Sequence, residues 1–264
     1  MIRVGVLGAC GRMGQLVARA VADDPGLVLA AAIDRAHVGE ALGPRLGRTD
    51  VELPISDGPD ALVSAGVEVA VDFTHPDVVL DHVGYCIAHG IHAVVGTSGF
   101  DADRLARLRE LLDEGSGTAN VVVAPNFALG AVLMERFAAQ AAEHIPDVEI
   151  VELHHDGKAD APSGTAIATA RRIARARGDG AAAPRPGDAS PARGQDVEGV
   201  RVHAIRLPGL IAHQEVLFGG PGETLTIRHD TTDRTAFLPG VLLAIRKVAT
   251  TPGLTVGLEA LLSG

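Results

Sequence analysis

Between His154 and Ala166 the chain reads HHDGKADAPSGTA, which brings two imidazoles, an ammonium and a glycine-containing turn together just ahead of a predicted helix. A histidine titrates near neutrality, and a lysine that is shielded from water or close to other cations gives up its proton more readily. His154 and Lys158 are therefore candidates for moving protons. Ser163, Gly164 and Thr165 follow Pro162 at the start of the helix, where unpaired backbone N–H groups and two hydroxyls can receive a carboxylate. Taken alone, Ser163 reads better as a simple helix cap, and His155 can be read as a satisfied core residue. A zinc site built from His154, His155, Asp156 and Asp160 is the weaker chemical reading. Adjacent histidines on a strand diverge, and Lys158 would repel the ion.

A second motif lies at the other end of the chain. Gly8, Gly11 and Gly14 punctuate VGVLGACGRMGQ between a predicted strand over Arg3–Leu7 and a predicted helix over Arg12–Ala22. Glycines allow the tight reversal and let backbone N–H groups approach a pyrophosphate, which then faces the helix N-terminus. Asp34 ends the next apolar run, Leu27–Ile33, where a carboxylate can accept hydrogen bonds from ribose hydroxyls; as a plain turn aspartate it would do no more than close the strand. Arg35 can pair with a 2′-phosphate that Asp34 would repel, so both NADH and NADPH are expected to serve. Gly96, Thr97 and Ser98, and likewise Ala124, Pro125, Asn126 and Phe127, follow predicted strands on the edge where open α/β sheets bind ligands, although either stretch could be an ordinary loop.

The elements that must position these residues fall into two groups. Strands and helices alternate as far as Phe127, through apolar runs at Val67–Phe73, His92–Val95 and Asn120–Ala124 and helical spacing at Val78–Ala88 and Asp103–Leu112. That alternation predicts a Rossmann-like parallel sheet covered on both faces. Beyond it, a helix over Ala128–Glu143, a strand over Val148–Leu153 and a helix over Ser163–Arg177 precede three stretches that alternate like antiparallel strands, Val200–Arg206, Gln214–Phe218 and Thr224–His229. The segment Gly178–Asp196, rich in Gly, Ala and Pro, is expected to be a mobile loop or lid. A last helix is expected over Thr235–Val248. The expected class is α/β, with a dinucleotide-binding domain over residues 1–127, to which 238–264 return, and an α+β domain with a mixed sheet over 128–237 for substrate binding and oligomerisation.

Composition narrows the partners. A formal net charge of −10 opposes adhesion to nucleic acid or an anionic membrane, so an anionic ligand needs a locally positive pocket. With no Trp, one Tyr and six Phe, stacking platforms for single-stranded nucleic acid are scarce. Cys10 and Cys86 have no metal-ligand spacing and form no disulfide framework. No apolar run reaches the length of a membrane span and no targeting segment is recognised, so a cytoplasmic location is expected.

These motifs resemble the dihydrodipicolinate reductase family, also called 4-hydroxy-tetrahydrodipicolinate reductases, nearly end to end. The resemblance rests on GACGRMG at Gly8–Gly14, GTSGF at Gly96–Phe100, APNFALG at Ala124–Gly130 and ELHHDGKADAPSGTA at Glu152–Ala166. It continues in HAIRLPGLIAHQEVLFGGPGETLTIRHD at His203–Asp230 and DRTAFLPG at Asp233–Gly240. It implies NAD(P)H-dependent reduction of a cyclic dicarboxylate on the way to diaminopimelate and lysine. It makes His154 a proton donor and acceptor and Lys158 the proton donor, with His155 and the Gly164–Thr165 backbone on the substrate carboxylates. The cofactor would lie on Gly8, Ala9, Cys10, Gly11, Arg12, Met13, Asp34, Gly96–Ser98 and Ala124–Phe127. Homotetramers assembled through the mixed sheet are implied as well. In two places the chain departs from the pattern. Arg206-Leu207-Pro208-Gly209 stands where relatives often read R-x-G-G, and the loop from Arg177 to Gln195 is longer; both are expected to bear on loop closure and oligomer contacts and to leave the chemistry untouched. The rival readings are another two-domain dehydrogenase, such as one acting on an amino acid, and a non-enzymatic NAD(H) sensor.

Overall fold

The structure is a computed structural model that describes residues 1–115, 117–178, 187 and 190–262. The chain divides into two compact units, Met1–Phe127 with Phe237–Gly264, and Ala128–Ala236.

The first unit runs β1 (Ile2–Leu7), α1 (Arg12–Asp23), β2 (Leu27–Ile33), α2 (Gly43–Leu46), β3 (Ile55–Ser56), α3 (Asp60–Ser64), β4 (Val69–Asp72), α4 (Val79–Ala88), β5 (His92–Val95), α5 (Ala102–Glu114) and β6 (Val121–Val123). In the second follow α6 (Leu129–Ala142), β7 (Asp147–His154), α7 (Gly164–Arg177), β8 (Gln195–Val197), β9 (Val200–Arg206), β10 (Ala212–Gly220) and β11 (Glu223–Thr231). The chain ends in the first unit with α8 (Leu238–Lys247), β12 (Leu254–Val256) and α9 (Glu259–Leu262).

Among the described residues, seven strands form the first sheet in the order β12-β6-β5-β4-β1-β2-β3, and every neighbouring pair is parallel. The central strands are short and apolar because helices cover both faces: β4 and β6 are buried throughout. The order reverses between β1 and β4, and the Gly8 turn sits there, at the carboxyl ends of the strands. The turn depends on missing side chains. Gly8 adopts φ +78°, and a Cβ on Gly14 would overlap the Gly8 carbonyl oxygen, so α1 packs against the turn only with glycine there.

The second sheet has the order β11-β10-β7-β9-β8 among the described residues, with α6 and α7 packed on one face. Met134, Ala138, Ile150, Ile173, Val202, Val216 and Phe218 form its core. Here one expectation is corrected: β9 runs parallel to β7 and antiparallel only to β8. Alternation has period two in either direction, so the pattern carries no information on strand sense. The sense follows from the crossover through α7, which returns the chain to the start of the sheet. The β8–β9 hairpin turns on Glu198 and Gly199, both at positive φ, as a two-residue loop joining right-twisted strands prefers.

Other boundaries also shift. The expected helix over Thr235–Val248 begins as a 3₁₀ turn, Arg234–Phe237, and becomes α-helical at Leu238, where Pro239 occupies the first turn and no N–H is lost. Of the expected lid, Gly178–Asp196, residues 179–186 and 188–189 lie outside the described residues. Its end is regular structure, a 3₁₀ turn at Pro191–Arg193 leading into β8.

Gly14→Ala is expected to destabilise the protein by about 1–3 kcal/mol, the usual cost of forcing volume into a packed contact. Denaturant midpoints would read the loss, and an unchanged midpoint would contradict this account of the turn.

Candidate active site

Strand β7 alternates half-buried and buried positions until Glu152, which has 0% exposure, and then ends at His154. Side chains two apart share a face, so Ile150, Glu152 and His154 point the same way, from the core toward the strand end. Glu152 Oε2 accepts hydrogen bonds from His154 Nδ1 at 2.6 Å and Arg206 Nη1 at 2.8 Å; Oε1 accepts from Arg206 Nη2 at 2.8 Å and the Ser163 backbone N–H at 3.0 Å. Arg206 ends β9 directly beside His154 in the β7–β9 ladder.

The loop leaving β7 is held from beneath. Lys158 N–H donates to the His155 carbonyl at 3.2 Å, which closes a tight turn. Arg206 Nε donates to the Lys158 carbonyl at 3.3 Å and Nη2 to the Asp160 carbonyl at 2.6 Å. Lys158 Nζ pairs with Asp160 Oδ1 at 2.7 Å. His155, past the strand end, is exposed. Ser163 is 2% exposed and caps α7, its Oγ accepting from Ala166 N–H at 3.2 Å. The cap reading therefore holds for Ser163. Gly164 has open space where a Cβ would stand, and the Gly164–Thr165 backbone is the part of the helix start left to meet an anion.

Burial alone would raise the Glu152 pKa, but the hydrogen bonds from Arg206, His154 and Ser163 N–H outweigh it and hold the carboxyl below its ordinary range. Burial pushes the His154 pKa down, and the neighbouring Lys158 and Arg206 charges add to this against the pull of Glu152. His154 is thus a neutral imidazole at neutral pH whose Nδ1 proton is committed to Glu152. Among the described residues no cluster of three or more His, Cys, Asp or Glu is arranged to hold a metal ion.

In the first unit, one pocket is lined by Gly8, Gly11, Asp34, Arg35, Thr74 and His82 among others. Asp34 Oδ2 accepts from Cys10 N–H and Oδ1 from Ala36 N–H, both at 2.9 Å, which fixes its carboxylate beside the glycine turn. Arg35 is exposed next to it. Gly11 caps α1 with no side-chain hydrogen bond, so the Arg12 and Met13 end of the helix keeps its N-terminal face for an anion. Ala9 is buried beneath the turn. This cradle, with Gly8 and Gly14 where a Cβ would collide and an oriented carboxylate beside a helix start, fits a dinucleotide.

Gly96, Thr97 and Ser98 follow β5, and Ala124 to Phe127 follow β6, on the same strand-end edge of the sheet. The Phe73 ring fills the space of a Cβ on Gly96 and lies 5.7 Å from the Phe127 ring, which is itself buried. Of these stretches Ser98 and Pro125 are exposed, while Thr97 and Ala124 are buried. Thr97 Oγ1 donates to Asp72 Oδ1 at 2.7 Å, and Asp72 also accepts from Thr74 and from His82 Nδ1. Asp72, Thr74 and His82 are absent from the sequence reading, although an Asp closing the run VAVD is the same signal that marks Asp34. Glu152 and Arg206 are the larger omission.

A parallel nucleotide-binding unit of this form, joined to a mixed-sheet unit carrying an imidazole, an ammonium and an anion-ready helix start, defines a two-domain oxidoreductase of the dinucleotide-dependent class. Residues 2–127 match the family model for the dihydrodipicolinate reductase N-terminus and residues 130–262 that for its C-terminus, so the chain belongs to the dihydrodipicolinate reductase family. It is 52% identical to the 4-hydroxy-tetrahydrodipicolinate reductase of Nocardia farcinica, across 99% of this chain and 98% of that one. Identity to the enzyme of the same name from Mycolicibacterium gilvum is also 52%, across 99% of both chains. A dipicolinate-bound dihydrodipicolinate reductase from Paenisporosarcina sp. TG-14 superposes with a TM-score of 0.84 at 39% identity, covering 98% of this chain and 99% of that one.

The lowered pKa values set the sign of an acid response. Glu152 contributes stability that is present above the ordinary carboxylate range and is lost as pH falls through its lowered pKa. For His154 the unfolded chain takes up the proton first, so stability starts to fall below the ordinary value of 6.5. Denaturant midpoints are expected to drop between about pH 7.5 and about pH 5, less steeply in His154→Gln. Equal slopes in the two proteins would contradict a neutral, half-buried His154.

Proposed function

We propose that this chain reduces 4-hydroxy-tetrahydrodipicolinate to tetrahydrodipicolinate with loss of water, at the expense of NADPH or NADH, in the formation of diaminopimelate and lysine. The observation that carries this reading is the block from Glu152 to Thr165. In a chain half identical to reductases of that name, this block gathers a neutral imidazole, an ammonium and a free helix start around one buried carboxylate. The reduced nicotinamide supplies a hydride to a ring carbon made electrophilic by conjugation with the imine. This chain's part is to hold the two ring carboxylates and to manage one proton.

His155 and the Gly164–Thr165 N–H groups receive the carboxylates, and Ser163 keeps that helix start in place by capping it. Lys158 gives the proton and stabilises negative charge as it spreads through the ring during reduction. Its partner, Asp160, is largely exposed, so a dianionic substrate can displace it. His154 exchanges protons through Nε2, the ring nitrogen that Glu152 leaves free.

In the first unit Gly8 to Met13 hold the pyrophosphate and Asp34 the adenosine ribose, with Arg35 offered to a 2′-phosphate. Gly96 to Ser98 and Ala124 to Phe127 line the cofactor along the strand ends. Because Asp34 and Arg35 stand side by side, both nucleotides serve. The face of the mixed sheet turned away from α6 and α7 carries the partly exposed Val151, Leu153, Ile205 and Leu217 around the Glu149–His203 pair, which supports assembly of a homotetramer through this face. No helix among the described residues is long and apolar enough to cross a membrane, and the cytoplasm is the proposed location.

Lys158→Ala and His154→Ala are each expected to lower turnover at least about a hundredfold. The check is a coupled assay that generates the unstable hydroxylated substrate in place and follows nicotinamide absorbance. Near-normal turnover in both folded variants would remove the site assignment. Turnover with a keto acid and ammonia would favour an amino-acid dehydrogenase, and cofactor binding without turnover on any cyclic imine would favour a sensor. The same assay run with NADH and with NADPH at saturation is expected to give activity with each, and silence with either would overturn dual use.

A further inference from the structure

Glu152 is the one acidic side chain of the site with no exposure, and its donors come from three separate pieces of chain: the end of β7, the end of β9 and the N-cap of α7. A buried ion pair is a costly way to fill a core, because both charges lose their water. If stability were all it served, apolar residues of similar size would do as well. The pair does more than neutralise itself. Arg206 also donates to the carbonyls of Lys158 and Asp160, on the loop that carries the ammonium, and to its neighbour the Ile205 carbonyl, while Glu152 spends its remaining acceptors on the imidazole and on the N-cap.

We propose that Glu152 and Arg206 act together as a positioning pair that fixes the tautomer of His154 and the place of Lys158. The inference rests on the reading of those two residues as the proton-handling groups. Ionised Glu152 can only accept, so His154 must carry its proton on Nδ1 and present the Nε2 lone pair. In the resting protein, His154 is therefore the group able to take up a proton, and Lys158 holds the one to be given. Arg206 has a second effect: it cancels the carboxylate charge that would otherwise pull His154 toward the imidazolium form. The charged groups facing His154 are Glu152 on its own strand, Arg206 on the neighbouring strand and Lys158 on the loop, and Asp160 sits behind Lys158.

The two partners consequently act on His154 in opposite directions. Removing the carboxylate leaves Arg206 uncompensated and lowers the His154 pKa further; removing the guanidinium leaves Glu152 uncompensated and raises it. A role confined to stability would still move these titrations but would leave turnover of the folded variants unchanged.

The test is ¹⁵N NMR of histidine side chains in the full-length protein without cofactor or substrate, assigned with His154→Gln. The wild type is expected to show His154 protonated on Nδ1 and bare on Nε2 at neutral pH. In Glu152→Gln the titration is expected to move to lower pH and in Arg206→Gln to higher pH, and turnover to fall at least about tenfold in each while the Kd for NADPH stays within about twofold. If either variant fails to fold, the wild-type tautomer and Arg206→Lys decide. Arg206→Lys keeps the charge without the fork and is expected to retain the His154 titration while losing turnover. Wild-type His154 protonated on Nε2, or both titrations moving in the same direction, would overturn the proposal. The NMR experiment requires no reaction, so its failure is distinct from failure of the proposed activity, which wild-type turnover tests.

Discussion

A carboxylate removed entirely from water has to be surrounded by donors, and the residues that supply them are then bound to one another through it. Glu152 imposes this on the second unit. Its position follows from the period of a strand: Ile150 belongs to the apolar core, His154 reaches the strand end, and Glu152 between them must face inward. Whatever satisfies it there, the fork of Arg206, the imidazole of His154 and the N-cap of α7, becomes the frame of the candidate site. Breaking such a buried pair on one side costs about 3–5 kcal/mol, whereas an exposed pair contributes at most about 1 kcal/mol. The frame is therefore stiff, while the Lys158–Asp160 contact that it presents is exchangeable. Stiff support beneath an exchangeable ammonium suits the role proposed for Lys158, which is to hold a proton and then meet a dianion.

The same economy of charge governs the first unit. A protein with net charge −10 has to bind anions without relying on its overall field. The Gly8 turn offers backbone N–H groups and a helix start for this, as proposed above. Asp34, tethered to Cys10 and Ala36 N–H, is a fixed acceptor rather than a free negative charge. Asp72 repeats the device at the end of β4, where it gathers Thr74, Thr97 and His82 around one buried carboxylate. In both units, then, acidic side chains near strand ends organise donors, and backbone N–H groups at a helix start are left to meet an anion.

What could be read directly from the sequence were features encoded over short distances. The glycine turn, Asp34 and the block from His154 to Thr165 each lie within one strand–turn–helix passage, where residue spacing alone dictates geometry. The parallel sheet was legible because βα alternation is itself local. Arg206 was not, because it meets Glu152 only once β9 lies beside β7, 54 positions along the chain. It stood in view as the Arg of a family pattern from which Pro208 departs, and nothing in its neighbours marked it as the partner of a buried acid. The sense of β9 was hidden for a related reason, since pairing partners are a tertiary fact. Between Asp34 and Val67 the elements α2, β3 and α3 are two to five residues long, too short to establish a period.

The central claim is that a carboxylate-bearing ring is received by Lys158 and the start of α7 while Glu152 continues to hold His154. A crystal structure of the complex with dipicolinate, the ligand carried by the Paenisporosarcina relative, tests it most directly. The account predicts ligand carboxylates on the Gly164 and Thr165 N–H groups, Lys158 turned from Asp160 to the ligand, and the Glu152 contacts to His154 and Arg206 unchanged. A ligand held elsewhere, with Lys158 still on Asp160 or pointing into solvent, would contradict it.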